Sequence, residues 1–191
     1  AEVAIQKKQK PLPYLKLADD SYEKAVTKTP KDAEALFDQG DSFLQRGTYE
    51  AETGKDPRAS LEKAASMMEK AIDINPKNAF FYGRLGVAYW TIGQYEIDNG
   101  LDARKSLEHA INVFRKSNEI NPKYLNGYIF TAAGYLYLCD TQSERGEDPS
   151  TSIDQAISTL QKSLKIDPES AYSFSVLGYA FWKKGKYLQE T

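Results

Sequence analysis

His109 is the only histidine of this chain and Cys139 its only cysteine, so a nucleophilic mechanism would have to begin with them. A Cys–His pair works when the two side chains are within hydrogen-bonding reach and a loop of N–H groups receives the oxyanion. Neither residue has a Gly-rich loop beside it, and they fall on different predicted helices of different repeats. Asp98-Asn99-Gly100-Leu101-Asp102 has the oxygens of a calcium loop. It lacks the regular oxygen spacing and the closing Glu of such a loop, and a helix cap accounts for Asp102. A single cysteine rules out an internal disulfide and a cysteine-built metal site. No catalytic, cofactor-binding or metal-ligating set is therefore expected: the residues point to binding, not to an enzyme.

The elements that would position a binding surface are written in a repeat. Pro30, Pro76, Pro122 and Pro168 fall at intervals of 46 residues, as do Gly54, Gly100 and Gly146 and also Asp56, Asp102 and Asp148. Leu61, Leu107 and Ile153 keep the same interval, and so do Ala64, Ala110 and Ala156. A period of this size marks a solenoid, in which no unit buries its apolar face alone. Three full units are expected at 31–76, 77–122 and 123–168. A partial repeat at 11–30 contributes only a second helix, and 169–191 only a first helix, so that 1–191 reads as one array. Residues 1–10 are polar, a frayed helix end or a linker. Ala1-Glu2-Val3-Ala4 has the look of a signal-peptide remnant, with nothing visible to support it.

Within a unit the signals are helical. Leu85, Tyr89 and Ile92 recur at three- and four-residue spacing, as do Leu107, Ala110, Ile111 and Phe114, the period of an amphipathic helix. Each Asp of the Gly-x-Asp turn is expected to cap the second helix, with Pro57 or Pro149 first inside it. Gly54, Gly100 and Gly146 are expected to end the first helix in left-handed geometry. The Asn-Pro or Asp-Pro pair closes the second helix. Gly40, Gly86 and Gly178 are expected where two helices come too close for a side chain. The fold class is all-α, a right-handed superhelical array of antiparallel helix pairs.

The 191 residues are 41% hydrophobic and 27% charged with a net charge of −2. This balance lacks the basic footprint of a nucleic-acid binder. The uncharged run from Tyr124 to Cys139 is too short and too polar to span a bilayer, and is expected to be the most buried helix. The acidic residues Glu50, Glu52, Glu96, Asp98, Glu144, Glu147 and Asp148 read as a solvated rim. The compartment stays open, with the cytoplasm slightly favoured over a periplasm.

Tyr82-x2-Leu85-Gly86-x2-Tyr89, Ala110-x3-Phe114 and Pro122 resemble the tetratricopeptide repeat signature, with Tyr in place of its Trp. The surplus of ~12 residues over the usual 34 lies between Tyr89 and Ala110, about 1.5 helical turns on each of two helices. The first helix then runs past Gly47 and Gly93, or kinks there, since Gly is a poor helix former. Gly54-Lys55-Asp56-Pro57-Arg58 also resembles the turn of extended repeats in regulatory regions of bacterial serine/threonine kinases. The resemblance implies that first helices line a concave groove for a peptide or helix of a partner protein. Taken from the residues flanking each Leu-Gly pair, the lining is Phe80, Val87, Trp90, Ile129, Ala133, Leu136, Tyr172, Tyr179 and Trp182, with Glu34, Phe37, Asp41, Leu44, Gly83, Asn126 and Ser175 in the same positions; if the stretched helices curl tightly, the aromatic lining is core instead. The lone Asn126 has no cation beside it among these, so a carboxylate clamp of the kind some family members use is not expected. Phe174, Leu177 and Phe181 are left without a second helix to cover them and are expected either to join a second copy of the chain in a homodimer or to be covered by a helix that follows residue 191.

Overall fold

The structure, a computed structural model, describes residues 12–190. Residues 1–10, Pro11 at the start of the partial repeat, and Thr191 lie outside the described residues. The described residues form α1 (Leu12–Lys28), α2 (Ala33–Glu52), α3 (Arg58–Ile74), α4 (Ala79–Asp98), α5 (Arg104–Ile120), α6 (Leu125–Glu144), α7 (Ser150–Ile166) and α8 (Ala171–Glu190). They stack as a right-handed superhelix of antiparallel pairs. Packing is most extensive within α2/α3, α4/α5 and α6/α7.

The lengths follow from the turns. Gly54, Gly100 and Gly146 have φ of 71°, 67° and 69°, and no other described residue has positive φ. Beyond Gly54 the Lys55 N–H donates to the Glu50 carbonyl at 2.8 Å, while Gly54 N–H donates to Ala51. The same pair of bonds recurs after Gly100 and Gly146. These bonds satisfy the last carbonyls of a helix once its chain turns left-handed. Just beyond each glycine, the Asp56, Asp102 and Asp148 carboxylates accept from the N–H of Arg58, Arg104 and Ser150 at 3.0, 3.2 and 2.9 Å. Pro57, Ala103 and Pro149 are already helical in φ and ψ. The first helix thus runs through Gly47 and Gly93, and the second starts two residues after the Asp.

The cores explain the small residues. A Cβ on Gly47 would stand 2.6 Å from Leu61, and one on Gly93 2.9 Å from Leu107. A Cβ on Gly86 would meet the Phe114 ring at 2.6 Å, and on Gly40 the Met68 side chain at 3.0 Å. The expectation fails at Gly178, where a Cβ would meet nothing within 4 Å. The cause is positional: no described helix follows α8 to supply a counterpart of Phe114. One core joins α2, α3 and α4, another α6, α7 and α8, and Leu107, Ile111 and Phe114 of α5 are buried between them. α6 buries no more residues than α2 or α4, so it is not the most buried helix. No helix among the described residues is long and apolar enough to cross a membrane.

Candidate functional site on the inner face of the first helices

Neighbouring first helices are tied by contacts between residues 43 apart. Asp41 of α2 holds Arg84 of α4, whose Nε donates at 2.6 Å. Gln94 of α4 donates to the Tyr137 hydroxyl of α6 at 3.2 Å. Asp140 of α6 pairs with Lys183 of α8. The interval is about one helical turn less than the repeat, so a residue reaches a partner one turn back on the next helix. Sliding the sequence by this shorter step would have revealed the ladder. None of Arg84, Tyr137, Asp140 or Lys183 stands in the predicted lining, although Asp41 does.

The predicted lining divides in three. Ile129 and Leu136 are 2% and 4% exposed, and Phe37 and Leu44 are equally buried. This corrects the expectation, because the helices sit close enough for these side chains to fill the seam between them. Trp90 is half-buried, its ring 5.7 Å from Phe130 and 5.5 Å from Tyr137, both on α6. It packs one first helix on the next and does not present an open anchor. Val87, Ala133 and Asp41 are half-buried as well, and Gly83 is buried beneath Tyr124. Phe80, Tyr172, Tyr179 and Trp182 are open to solvent, with Glu34, Asn126 and Ser175.

Openness alone does not make a site, and the four aromatics are not equivalent. Phe80 leans on Phe37 with centroids 5.3 Å apart. Tyr179 and Trp182 stack at 5.7 Å with planes 15° apart. Beneath Tyr179, between α6 and α8, lies a cavity of about 390 Å³ lined by Ala133, Leu136, Tyr137, Asp140, Ser175 and Val176. A second cavity of about 270 Å³ adjoins it through Asp140 and Tyr179, with Trp182, Lys183 and Cys139 on its walls. Lys183 is nearly buried and lies 4.7 Å from the Tyr179 ring centroid. Burial by itself would lower its pKa, but the hydrogen bonds to Asp140 and Tyr179 outweigh it and hold the ammonium protonated. The arrangement offers a hydrophobic socket, two flat aromatic rings and a closed ion pair. That is equipment for gripping an apolar side chain.

Nucleophilic chemistry finds no support in the geometry. Cys139 is buried, and burial pushes its thiol pKa up. It takes the place of Gly47 and Gly93 in the period and packs in the same core as the buried Ile153. His109 is exposed on α5 and stacks edge-on against Tyr89. The described residues contain no group of His, Cys, Asp and Glu that could hold a metal ion.

Comparison with known proteins gives a family and a fold. Residues 13–128 match the family described as plant specific mitochondrial import receptor subunit TOM20. A search of curated sequences finds no match. Among solved structures, MamA (41-end) from Desulfovibrio magneticus RS-1 is 16% identical with a TM-score of 0.64, covering 92% of this chain and 78% of its own. The thermophilic tetratricopeptide protein TTC0263 of Thermus thermophilus is 20% identical at a TM-score of 0.57, covering 91% of this chain and 76% of its own. The first tetratricopeptide domain of Spaghetti (RPAP3), bound to an HSP90 peptide, is 14% identical at 0.57, covering 81% of this chain and 94% of its own. These likenesses show a tetratricopeptide solenoid.

Proposed function

The chain belongs to the plant specific mitochondrial import receptor subunit TOM20 family, and from that premise we propose that it is a non-catalytic scaffold whose inner face holds an apolar side chain of a partner protein. The cavity between α6 and α8, with Tyr179 on its wall and Trp182 stacked on that ring in the adjoining cavity, carries this reading. A volume of about 390 Å³ lies within the usual range for a ligand pocket. Tyr and Trp are the usual anchors of interfaces because they bring large area at little entropic cost. A receptor subunit in the family description agrees with a binding role. The partner segment is an amphipathic helix or peptide presenting one large apolar residue to the socket. A grip on a terminal carboxylate is disfavoured, since Arg84 and Lys183 are each held by an aspartate.

The test uses a labelled synthetic amphipathic helix of about 15–20 residues with leucines along one face. Tyr179→Ala and Trp182→Ala should each weaken its binding about tenfold or more while leaving helicity unchanged. Phe80→Ala should leave binding as it was. Undiminished affinity in a Tyr179→Ala/Trp182→Ala double variant would show that the socket is not the site.

Two narrower readings rest on particular observations. Phe174 and Phe181 project from α8 into solvent and Leu177 is half-buried beside them, an apolar face suited to a homodimer. Light scattering should then show a dimer that Phe181→Glu makes monomeric, and a monomer at every concentration refutes it. The Asp56–Arg58 and Asp102–Arg104 turns favour the reading of a regulatory segment in a larger signalling protein, such as a serine/threonine kinase.

A further inference from the structure

Away from the socket, α5, α6 and α7 enclose another cavity, of about 500 Å³. We infer that this cleft is a binding site for an organic oxyanion, a carboxylate or a phosphate, held between Arg115 of α5 and Lys162 of α7. The repeat itself supplies the comparison that carries the inference. One unit earlier, the corresponding cleft between α3 and α5 is filled by Ile72, Leu85 and Val113, which pack with the α2–α4 core. The cleft between α1 and α3 holds Val26 and Met67, with the buried Gln39 at the position of Leu85. In the α5–α7 cleft, those positions are Asn118, Thr131 and Thr159. Relative to the α3–α5 cleft, three apolar fillers have become polar, and the space they filled is open.

The charge changes in the same place. Glu69, which accepts from the Tyr89 hydroxyl at 2.7 Å in the earlier cleft, is replaced in the period by Arg115, beside Tyr135. Among the described residues no carboxylate pairs with Arg115 or Lys162. Glu119 lies on the same rim, bonded to Lys116 at 2.9 Å and with its charge also acting on Arg115, which leaves Arg115 with no bonded carboxylate and Lys162 with none at all among the described residues. On the floor, Thr131 is 2% exposed and its hydroxyl has no hydrogen-bond partner. A buried hydroxyl in a helix ordinarily bonds a backbone carbonyl or a neighbour, and leaving it unmade is unfavourable. An oxyanion spanning the cleft would accept charge-assisted bonds from Arg115 and Lys162 and a hydrogen bond from the Thr131 hydroxyl.

The site does not depend on the reading of the inner face, and the experiment keeps the two apart. Amide shifts of the whole chain are followed by NMR during titration with inorganic phosphate and, separately, with citrate. Saturable shifts confined to α5, α6 and α7 are expected, and the anion that produces them identifies the class. Arg115→Gln and Lys162→Gln should each weaken binding about tenfold or more with the melting temperature unchanged. Thr131→Leu/Thr159→Val restores the filling of the earlier cleft, and should abolish binding while keeping or raising the melting temperature. The inference is overturned if neither anion shifts these amides at roughly tens of millimolar, weaker than any specific site. It is overturned equally by shifts that persist in an Arg115→Gln/Lys162→Gln chain.

Discussion

The glycines of the first helices separate two reasons for the same residue. At Gly86 a Cβ would enter the Phe114 ring at 2.6 Å, and at Gly134 it would meet Ile111 at 2.7 Å. Phe114 is fully buried, so the ring has nowhere to retreat. Gly86→Ala should therefore lower the urea midpoint by an amount equivalent to ~1–3 kcal/mol, the cost of overpacking exceeding any gain in helix propensity. Gly178→Ala meets nothing within 4 Å and should be neutral or stabilising by up to ~1 kcal/mol, since Ala is the better helix former. Equal midpoints for the two variants would show that the Phe114 contact yields freely. The same glycine is thus a packing requirement in α4 and only a propensity penalty in α8.

At the scale of the element, the Gly-x-Asp turn sets where each helix stops and starts. The Arg58 side chain donates to both Asp56 carboxylate oxygens and its backbone N–H adds a further bond. Together these hold the carboxyl at about 2, below its usual value, against the opposing effect of desolvation. Arg104 holds Asp102 down in the same way, and the Ser150 N–H does so first for Asp148. A carboxyl lowered in the folded state contributes stability that is complete above its unfolded value of about 3.9, and lost as pH falls further. For Asp56 the loss falls between about pH 4 and about pH 2. Asp56→Asn keeps a capping oxygen but cannot titrate. Its melting temperature should fall less steeply than the parent's across that window, measured by circular dichroism. Parallel curves would mean that the Asp56–Arg58 bond contributes nothing in solution.

The whole molecule is a stack in which each helix touches only near neighbours. α1 packs on α2, and α8 on α6 and α7, whereas α4 has partners on both sides. Stability in such an array is a sum of local terms, so protection should be graded. Amide exchange should be slowest in α4 and α5 and fastest in α1 and α8, and uniform protection would contradict the grading. The Asp140–Lys183 pair fastens α8. Lys183 is nearly buried while Asp140 is more open, so the two partners are not equal. Asp140→Ala strands a buried ammonium and should cost ~1–3 kcal/mol, more than Lys183→Met, which removes the charge altogether. Urea midpoints give the order directly, and a reversed order would mean that Lys183 finds solvent when its partner is lost.

Much of this architecture is local and therefore readable in one dimension. A left-handed Gly, an Asp two residues later and a Pro or Ala inside the helix determine their own geometry, because every partner lies within a few residues. The repeat extends that reading to the whole solenoid, and the clash at Gly86 was legible from the period. What the linear chain did not disclose was which face of each first helix stays open. Ile129, Leu136 and Trp90 occupy the same kind of position as Tyr179 and Trp182, yet Trp90 packs on the next first helix and Ile129 and Leu136 are buried, whereas Tyr179 and Trp182 are open. The ladder of Asp41–Arg84, Gln94–Tyr137 and Asp140–Lys183 joins residues far apart in sequence, and the opening between α5 and α7 depends on three helices at once. Burial is a property of neighbours brought together by packing, and only the tertiary structure specifies which neighbours those are.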